Sequence, residues 1–220
     1  VNKREEQEVE SSKIIHELIE KVEQHPDNQD VYYQLGSYLT EVKDYVHAEE
    51  LYKKALSHFD AKDIKADLLV YGLGNVFYEA ELYVEAIQAF QKVTNPEMKE
   101  NAFLMLAQSY MAQESYQQAL AFAITAQEIN SKNIDTNELI GDIFLALGQF
   151  ENAAQYYDLV LESDQNHAKA NFQRGLVNMV LGLEFDTYFT RSRLTNKKYF
   201  DAQKKRLSEI ESFIKLRDNR

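Results

Sequence analysis

The chain has 220 residues, 45% of them hydrophobic and 27% charged, with a formal net charge of −12 and no cysteine. That length can bury a continuous core, the missing cysteine excludes disulfide and thiolate chemistry, and the acidity argues against broad contact with nucleic-acid or membrane phosphates. Two prolines, seven glycines, fourteen Tyr and twelve Phe without Trp fit helices joined by short turns, with rings wedged between them.

No stretch reaches the roughly 18 consecutive apolar residues of a membrane span, and the opening VNKREEQEVE lacks the apolar core of a signal peptide. The cytoplasm is the expected location, although a start at Val1 leaves room for a leader or anchor upstream. Charge is uneven: residues 185–220 hold ten Lys or Arg against five Asp or Glu, a balance of +5 that leaves −17 for residues 1–184.

Residues 1–28 are predicted to hold one helix, because Ile14, Ile15, Leu18, Ile19 and Val22 recur at helical spacing before the turn His25-Pro26-Asp27-Asn28. From 29 to 62 the spacing predicts two helices, one on Tyr32, Leu35, Gly36 and Leu39 and one on Ala48, Tyr52 and Ala55, with a tight turn around Lys43 and Asp44. The same sentence returns over 67–99, 100–133 and 134–167, and more loosely over 168–190. Its landmark small residues Gly36, Gly74, Ala107, Gly141 and Gly175 lie 38, 33, 34 and 34 residues apart, a period that means stacked helical hairpins.

Ala48, Ala86, Ala119 and Ala153 mark close approach on the second helices, where a larger group would overpack by roughly 1–3 kcal/mol. Tyr45, Tyr83, Tyr116 and Phe150 recur just after the turn, where a ring plugs a gap. Asp60-Ala61-Lys62-Asp63 accounts for the longer interval, and Asn95-Pro96-Glu97 is a helix start signal. In the fifth unit Thr187 and Arg191 take the second-helix places of Ala and an aromatic, a decay suited to a terminal member. Residues 191–220 then read as one basic amphipathic helix with an apolar seam of Phe200, Leu207, Ile210 and Ile214 beside Lys204, Lys205, Arg206, Lys215 and Arg217, predicted to cap the last hairpin.

These landmarks resemble the tetratricopeptide repeat family, whose 34-residue unit carries an aromatic, Leu-Gly, aromatic, Ala, aromatic, Ala pattern. The match covers about 29–184, with departures at Asn137, Ala123, Val93 and Val160. The resemblance implies an all-α fold, a right-handed α-solenoid forming a single domain, whose first helices line a concave groove.

The family's offset from landmark to groove points to Tyr33, Ser37 and Thr40, to Tyr71, Asn75 and Tyr78, and to Leu104, Gln108 and Met111. It continues with Glu138, Asp142 and Leu145, then Lys169, Phe172, Leu176 and Met179. Three tyrosines at one end suit an extended peptide, with at least two expected to be exposed, and Asn75 suits a ligand backbone. Glu138 and Asp142 form an acidic step for a positive residue. The family's clamp for chaperone carboxylate tails is missing: Tyr33 and Ser37 stand in two of its places, Asn101 and Met105 in two others.

Catalytic signals are thin. His16, His25, His47, His58 and His167 are scattered, so neither a metal nor a nucleophile site is expected. Gly72-Leu73-Gly74 lacks the third glycine and the preceding strand of a dinucleotide loop and reads as helix packing. The sequence therefore predicts a non-enzymatic, cofactor-free scaffold for protein–protein interaction, its partner a peptide or protein segment with apolar anchors and a basic residue. Behind it stand a self-associating subunit, a homodimer through terminal helices with its groove filled by its own tail, and then nucleic-acid binding through residues 191–206.

Overall fold

The computed structural model describes the backbone of residues 3–62 and 64–218, and the side chains of 9–62 and 64–212. Asp63 of the longer connection, and the side chains of Ile214, Lys215 and Arg217 in the terminal seam, lie outside the described residues. Every regular element among them is helical. Helix α1 (Lys3–Gln24) leads into the first and second hairpins, α2 (Gln29–Glu41) with α3 (Tyr45–Asp60) and α4 (Asp67–Glu79) with α5 (Tyr83–Gln91); α6 (Lys99–Ala112) and α7 (Tyr116–Ile129), the helices of the third repeat, come next, and then the fourth and fifth hairpins, α8 (Ile134–Ala146) with α9 (Phe150–Ser163) and α10 (Ala168–Leu181) with α11 (Asp186–Thr195). Helix α12 (Lys197–Asp218) closes the chain. None of the helices is long and apolar enough to cross a membrane among the described residues.

The hairpin turns are built alike. One residue in each takes a left-handed conformation, at Lys43 (φ 65°), Glu81 (61°), Glu114 (58°), Gly148 (71°) and Gly182 (71°). The next N–H then reaches back to the carbonyl five residues earlier, as in Asp44 to Leu39 at 2.8 Å, Leu82 to Phe77 at 2.8 Å and Gln149 to Phe144 at 2.9 Å. That is the helix-terminating motif in which a left-handed residue satisfies the orphan carbonyls of the last turn.

Packing inside the hairpins follows from the small landmarks. A Cβ on Gly36 would stand 2.3 Å from the Tyr52 ring, one on Gly74 2.6 Å from Phe90, and one on Gly141 2.7 Å from Tyr157. The first helix leaves a hole and the second fills it with a ring, so the two axes approach closely. Gly72 belongs to the same device, its missing Cβ 2.5 Å from the other face of Tyr52, as its reading as a packing site implies.

The fifth hairpin differs from its sequence reading. Phe189, not the residue at 191, fills the hole at Gly175, at 2.7 Å from its missing Cβ, and the buried Ser192 hydroxyl donates to Ala168 O at 2.8 Å. Helix α11 therefore runs to Thr195, and the break falls at Asn196, whose side chain accepts from Tyr199 N at 2.9 Å to start α12. The boundary expected at 190/191 lies inside a helix, because a cap, and not the loss of the Ala/aromatic pattern, ends it.

Asn28 accepts from Asp30 N at 2.9 Å to cap α2. Asn95 accepts from Glu97 N at 3.0 Å, although the element it starts is a single 3₁₀ turn, Pro96–Met98, ahead of α6. Of the predicted α1 stripe, Ile15, Leu18 and Val22 pack on the first hairpin's core while Ile19 is exposed. Contacts group the chain into two compact units that divide between Ser115 and Tyr116, between α6 and α7, where the repeat period predicts one continuous domain.

Candidate binding groove

In the first unit α2, α4 and α6 present their first-helix faces to a cavity of about 570 Å³. Helix α4 supplies the largest share of the wall: Tyr71, Asn75 and Tyr78 stand at i, i+4 and i+7, one stripe of an α-helix, with Gly72 and Glu79 beside them. Helix α2 adds Ser37, Thr40 and Glu41, and α6 adds Met105 and Gln108. Lys43 in the turn, with Tyr45 and Tyr52 of α3, completes the lining.

The tyrosines are held from behind. Tyr71 packs on Phe90, ring centroids 5.5 Å apart, and Tyr78 meets Tyr83 edge-on at 5.6 Å. Tyr52 is fully buried and donates its hydroxyl to Tyr33 O at 3.2 Å. Burial, then the neighbouring Tyr33, pushes the Tyr71 phenol up to about 12, partly offset by its hydrogen bond with Asn75. Burial likewise raises Tyr78, with Tyr83 and Glu79 adding to it. Asn75 keeps its Oδ1 buried and, among the described residues, without a hydrogen-bond partner, an arrangement that costs free energy until a donor arrives.

Of the groove residues read from the sequence, Ser37, Tyr71, Asn75, Tyr78 and Gln108 come together here, with Thr40. Tyr33 packs into the core of the first hairpin, and Met111 is not part of this wall. Tyr33, Tyr71 and Tyr78 are all half-buried, not exposed. Sequence reasoning missed Glu41, Glu79, Tyr45 and Tyr52 as lining, and Met105 entered only as a place in the missing clamp. Glu41 and Glu79 were findable, since each directly follows a groove position in its own repeat.

The second unit corrects two assignments. Glu138 and Asp142 do not wait for a ligand: Lys169 Nζ lies 2.7 Å from Glu138 and 2.8 Å from Asp142, with side-chain exposures of only 16% and 13% for the acids. Tyr157 donates to Asp142 at 2.7 Å, Gln173 donates to the same oxygen at 3.3 Å, and His167 Nδ1 stands 3.3 Å from Glu138. Burial alone would lower the Lys169 ammonium, but Asp142 and then Glu138 outweigh it and raise it above its usual range. Burial, reinforced by Asp142, drives the Tyr157 phenol far upward.

Phe172 is the second correction. It is wholly buried, with ring centroids 5.4 Å from Phe189, 5.9 Å from Tyr199 and 5.7 Å from Phe200. Helix α12 folds its seam over this face, Leu207 and Ile210 packing on the same cluster. No group of three or more His, Cys, Asp or Glu fit to hold a metal occurs among the described residues.

A family model described as tetratricopeptide repeat matches residues 29–57 and 134–167. No curated protein is matched by sequence. Among solved structures, YrrB, a tetratricopeptide repeat protein with an unusual peptide-binding site, is 21% identical, with a TM-score of 0.62 over 86% of this chain and 97% of that one. MamA is 20% identical, with a TM-score of 0.65 over 75% of this chain and 96% of that one. PilF of Pseudomonas aeruginosa is 17% identical, with a TM-score of 0.73 over 92% of this chain and 91% of that one. At these identities the structural likeness is one of fold, an all-α solenoid. Residues 29–57 and 134–167 are thus tetratricopeptide repeat units, and their landmark residues recur in the units between and beyond them.

Proposed function

We propose that the chain is a non-catalytic scaffold that holds an extended peptide, or a segment of a partner protein, in the groove of its first unit. One observation carries the reading: a cavity of about 570 Å³, walled by half-buried tyrosines, retains in Asn75 Oδ1 a buried acceptor that no described residue satisfies. A few hundred to a thousand Å³ with few, convergent polar groups is the usual character of a ligand site. An extended segment offers backbone N–H donors for Asn75 and apolar side chains for the rings, so peptide chemistry fits both halves of the wall. YrrB, similar in fold, has a peptide-binding site.

Self-association through the terminal helices is the weaker reading. The apolar seam of α12 that it would use is packed on α10 and α11 of the same chain.

Panning a random twelve-residue peptide library and titrating the selected peptides calorimetrically tests the proposal. Selected peptides should lose about tenfold or more in affinity with Asn75→Leu, close in size and apolar, and with Tyr71→Ala. Circular-dichroism melts show whether each variant is folded. Peptides that bind folded Asn75→Leu as well as the parent chain would move the site elsewhere.

A further inference from the structure

We infer that the ligand of this groove carries a cationic side chain, an arginine in the first instance, which seats between the tyrosines and the carboxylates of Glu41 and Glu79. The inference rests on the groove being the binding site and adds which chemistry the groove selects.

The placement of those two acids is the starting point. Glu41 is the last helical residue of α2 and Glu79 the last of α4, and neither helix has a basic residue in its final turn. A helix C-terminus carries about half a negative charge, so a Lys, Arg or His is the stabilising choice there and a glutamate is the unfavourable one. Both ends open on the same cavity, so two carboxylates and two negative helix termini bear on one volume. Neither carboxylate is in an ion pair among the described residues. Lys43, exposed in the left-handed turn position, is the one cation of the lining and leaves the wall negative.

The rest of the wall asks for the same ligand. Asn75 Oδ1 is an acceptor with no donor among the described residues. Tyr71, Tyr78 and Tyr45 offer phenol rings, whose faces attract a desolvated cation, guanidinium above ammonium in frequency. Guanidinium presents five donors in a planar fork and suits a site made of acceptors and ring faces better than a compact ammonium does. The second unit shows how this fold settles such a place: Glu138 and Asp142 on α8 are neutralised by Lys169 of the same chain. Among the described residues Glu41 and Glu79 have no ion-pair partner, and a ligand side chain would supply one.

The test uses peptides selected on the full chain and resynthesised with each arginine replaced by citrulline, which keeps the shape and removes the charge. The expected result is a loss of about 10- to 100-fold, the size of one or two charge-assisted hydrogen bonds. That difference should shrink as salt rises from 50 to about 500 mM, and it should vanish in Glu41→Gln/Glu79→Gln, whose substitutions lie on exposed positions outside the core. Peptides that depend on Asn75 and Tyr71 but contain no basic residue, or that bind equally well as citrulline forms, overturn the inference and leave the groove reading standing. Peptides indifferent to Asn75→Leu and Tyr71→Ala, or a library that yields none, defeat the groove reading and this inference with it.

Discussion

Tyr52 is gripped between two glycines of different hairpins, Gly36 at 2.3 Å and Gly72 at 2.5 Å from where their Cβ atoms would stand, and the same ring forms part of the cavity wall. Adding a methyl at Gly72 forces the ring to move, and overpacking of this kind costs about 1–3 kcal/mol. Gly72→Ala should therefore lower the urea midpoint and weaken peptide binding together. Gly74→Ala, which strikes Phe90 at 2.6 Å, should lower the midpoint by a similar amount with a smaller effect on affinity. Equal affinity losses in the two would detach Tyr52 from the site. The turns give a purer case: nothing lies within 4 Å of the Cβ that Gly148→Ala would add, so only its φ of 71° opposes the change. A left-handed non-glycine residue costs about 1–2 kcal/mol, and urea denaturation should show a loss of that order. Glu81→Gly is the reverse experiment at φ 61°, its gain cut to under about 1 kcal/mol by the extra freedom glycine gives the unfolded chain.

At the scale of helices, α8, α9 and α10 are tied by one polar network, Lys169 to Glu138 and Asp142, with Tyr157 and Gln173 on Asp142. Removing one member of a fully buried ion pair costs about 3–5 kcal/mol, and the 38% exposure of Lys169 scales that down to about 1–3 for Lys169→Met. Adding Glu138→Gln and Asp142→Asn to that variant should restore most of the loss in urea denaturation. A triple variant no better than the single would mean that the lysine contributes packing, not charge. The same network marks where sequence reading stops. Small landmarks and ring partners in the first, second and fourth hairpins lie 16 residues apart within one hairpin, so their pairing follows from local periodicity. An offset along the helix also names the face that Glu138, Asp142 and Phe172 share. It does not by itself say what covers that face: Lys169 comes from 31 residues beyond Glu138, and the Tyr199 and Phe200 rings over Phe172 from a helix read as an end cap or, in the self-associating alternative, as a tail that fills the groove. The first unit's groove was legible at Ser37, Tyr71, Asn75, Tyr78 and Gln108 because these positions lie on the first helices α2, α4 and α6, the face that the offset reads.

Across the whole molecule the groups with the largest upward displacements belong to both units: Tyr52 and Tyr71 in the first, Tyr157 and Lys169 in the second. Burial raises the three phenols, and the two acids raise the lysine against its own burial. A group whose proton is held more tightly in the folded state contributes stability that is complete below its unfolded value, near 10 for these side chains. That contribution is lost as pH climbs toward the folded value, about 12 for Tyr71. The urea midpoint should thus stay nearly flat from pH 7 to 9 and fall steeply above 10. Each group that is deprotonated only when unfolded contributes up to roughly 1.4 kcal/mol per pH unit. Ionising phenols also adds negative charge to a chain that already carries −12, and this general repulsion is screened by salt. Salt separates the two causes. If 0.5 M sodium chloride restores the midpoint at pH 11, overall charge repulsion governs alkaline unfolding and the buried phenols do not. If the fall persists in salt, Tyr157→Phe should make it shallower, at a cost at pH 7 set by the lost hydrogen bond to Asp142. The two curves should then converge as pH rises. Parallel curves would remove Tyr157 from the titration and leave Tyr52, Tyr71 and Lys169 to carry it.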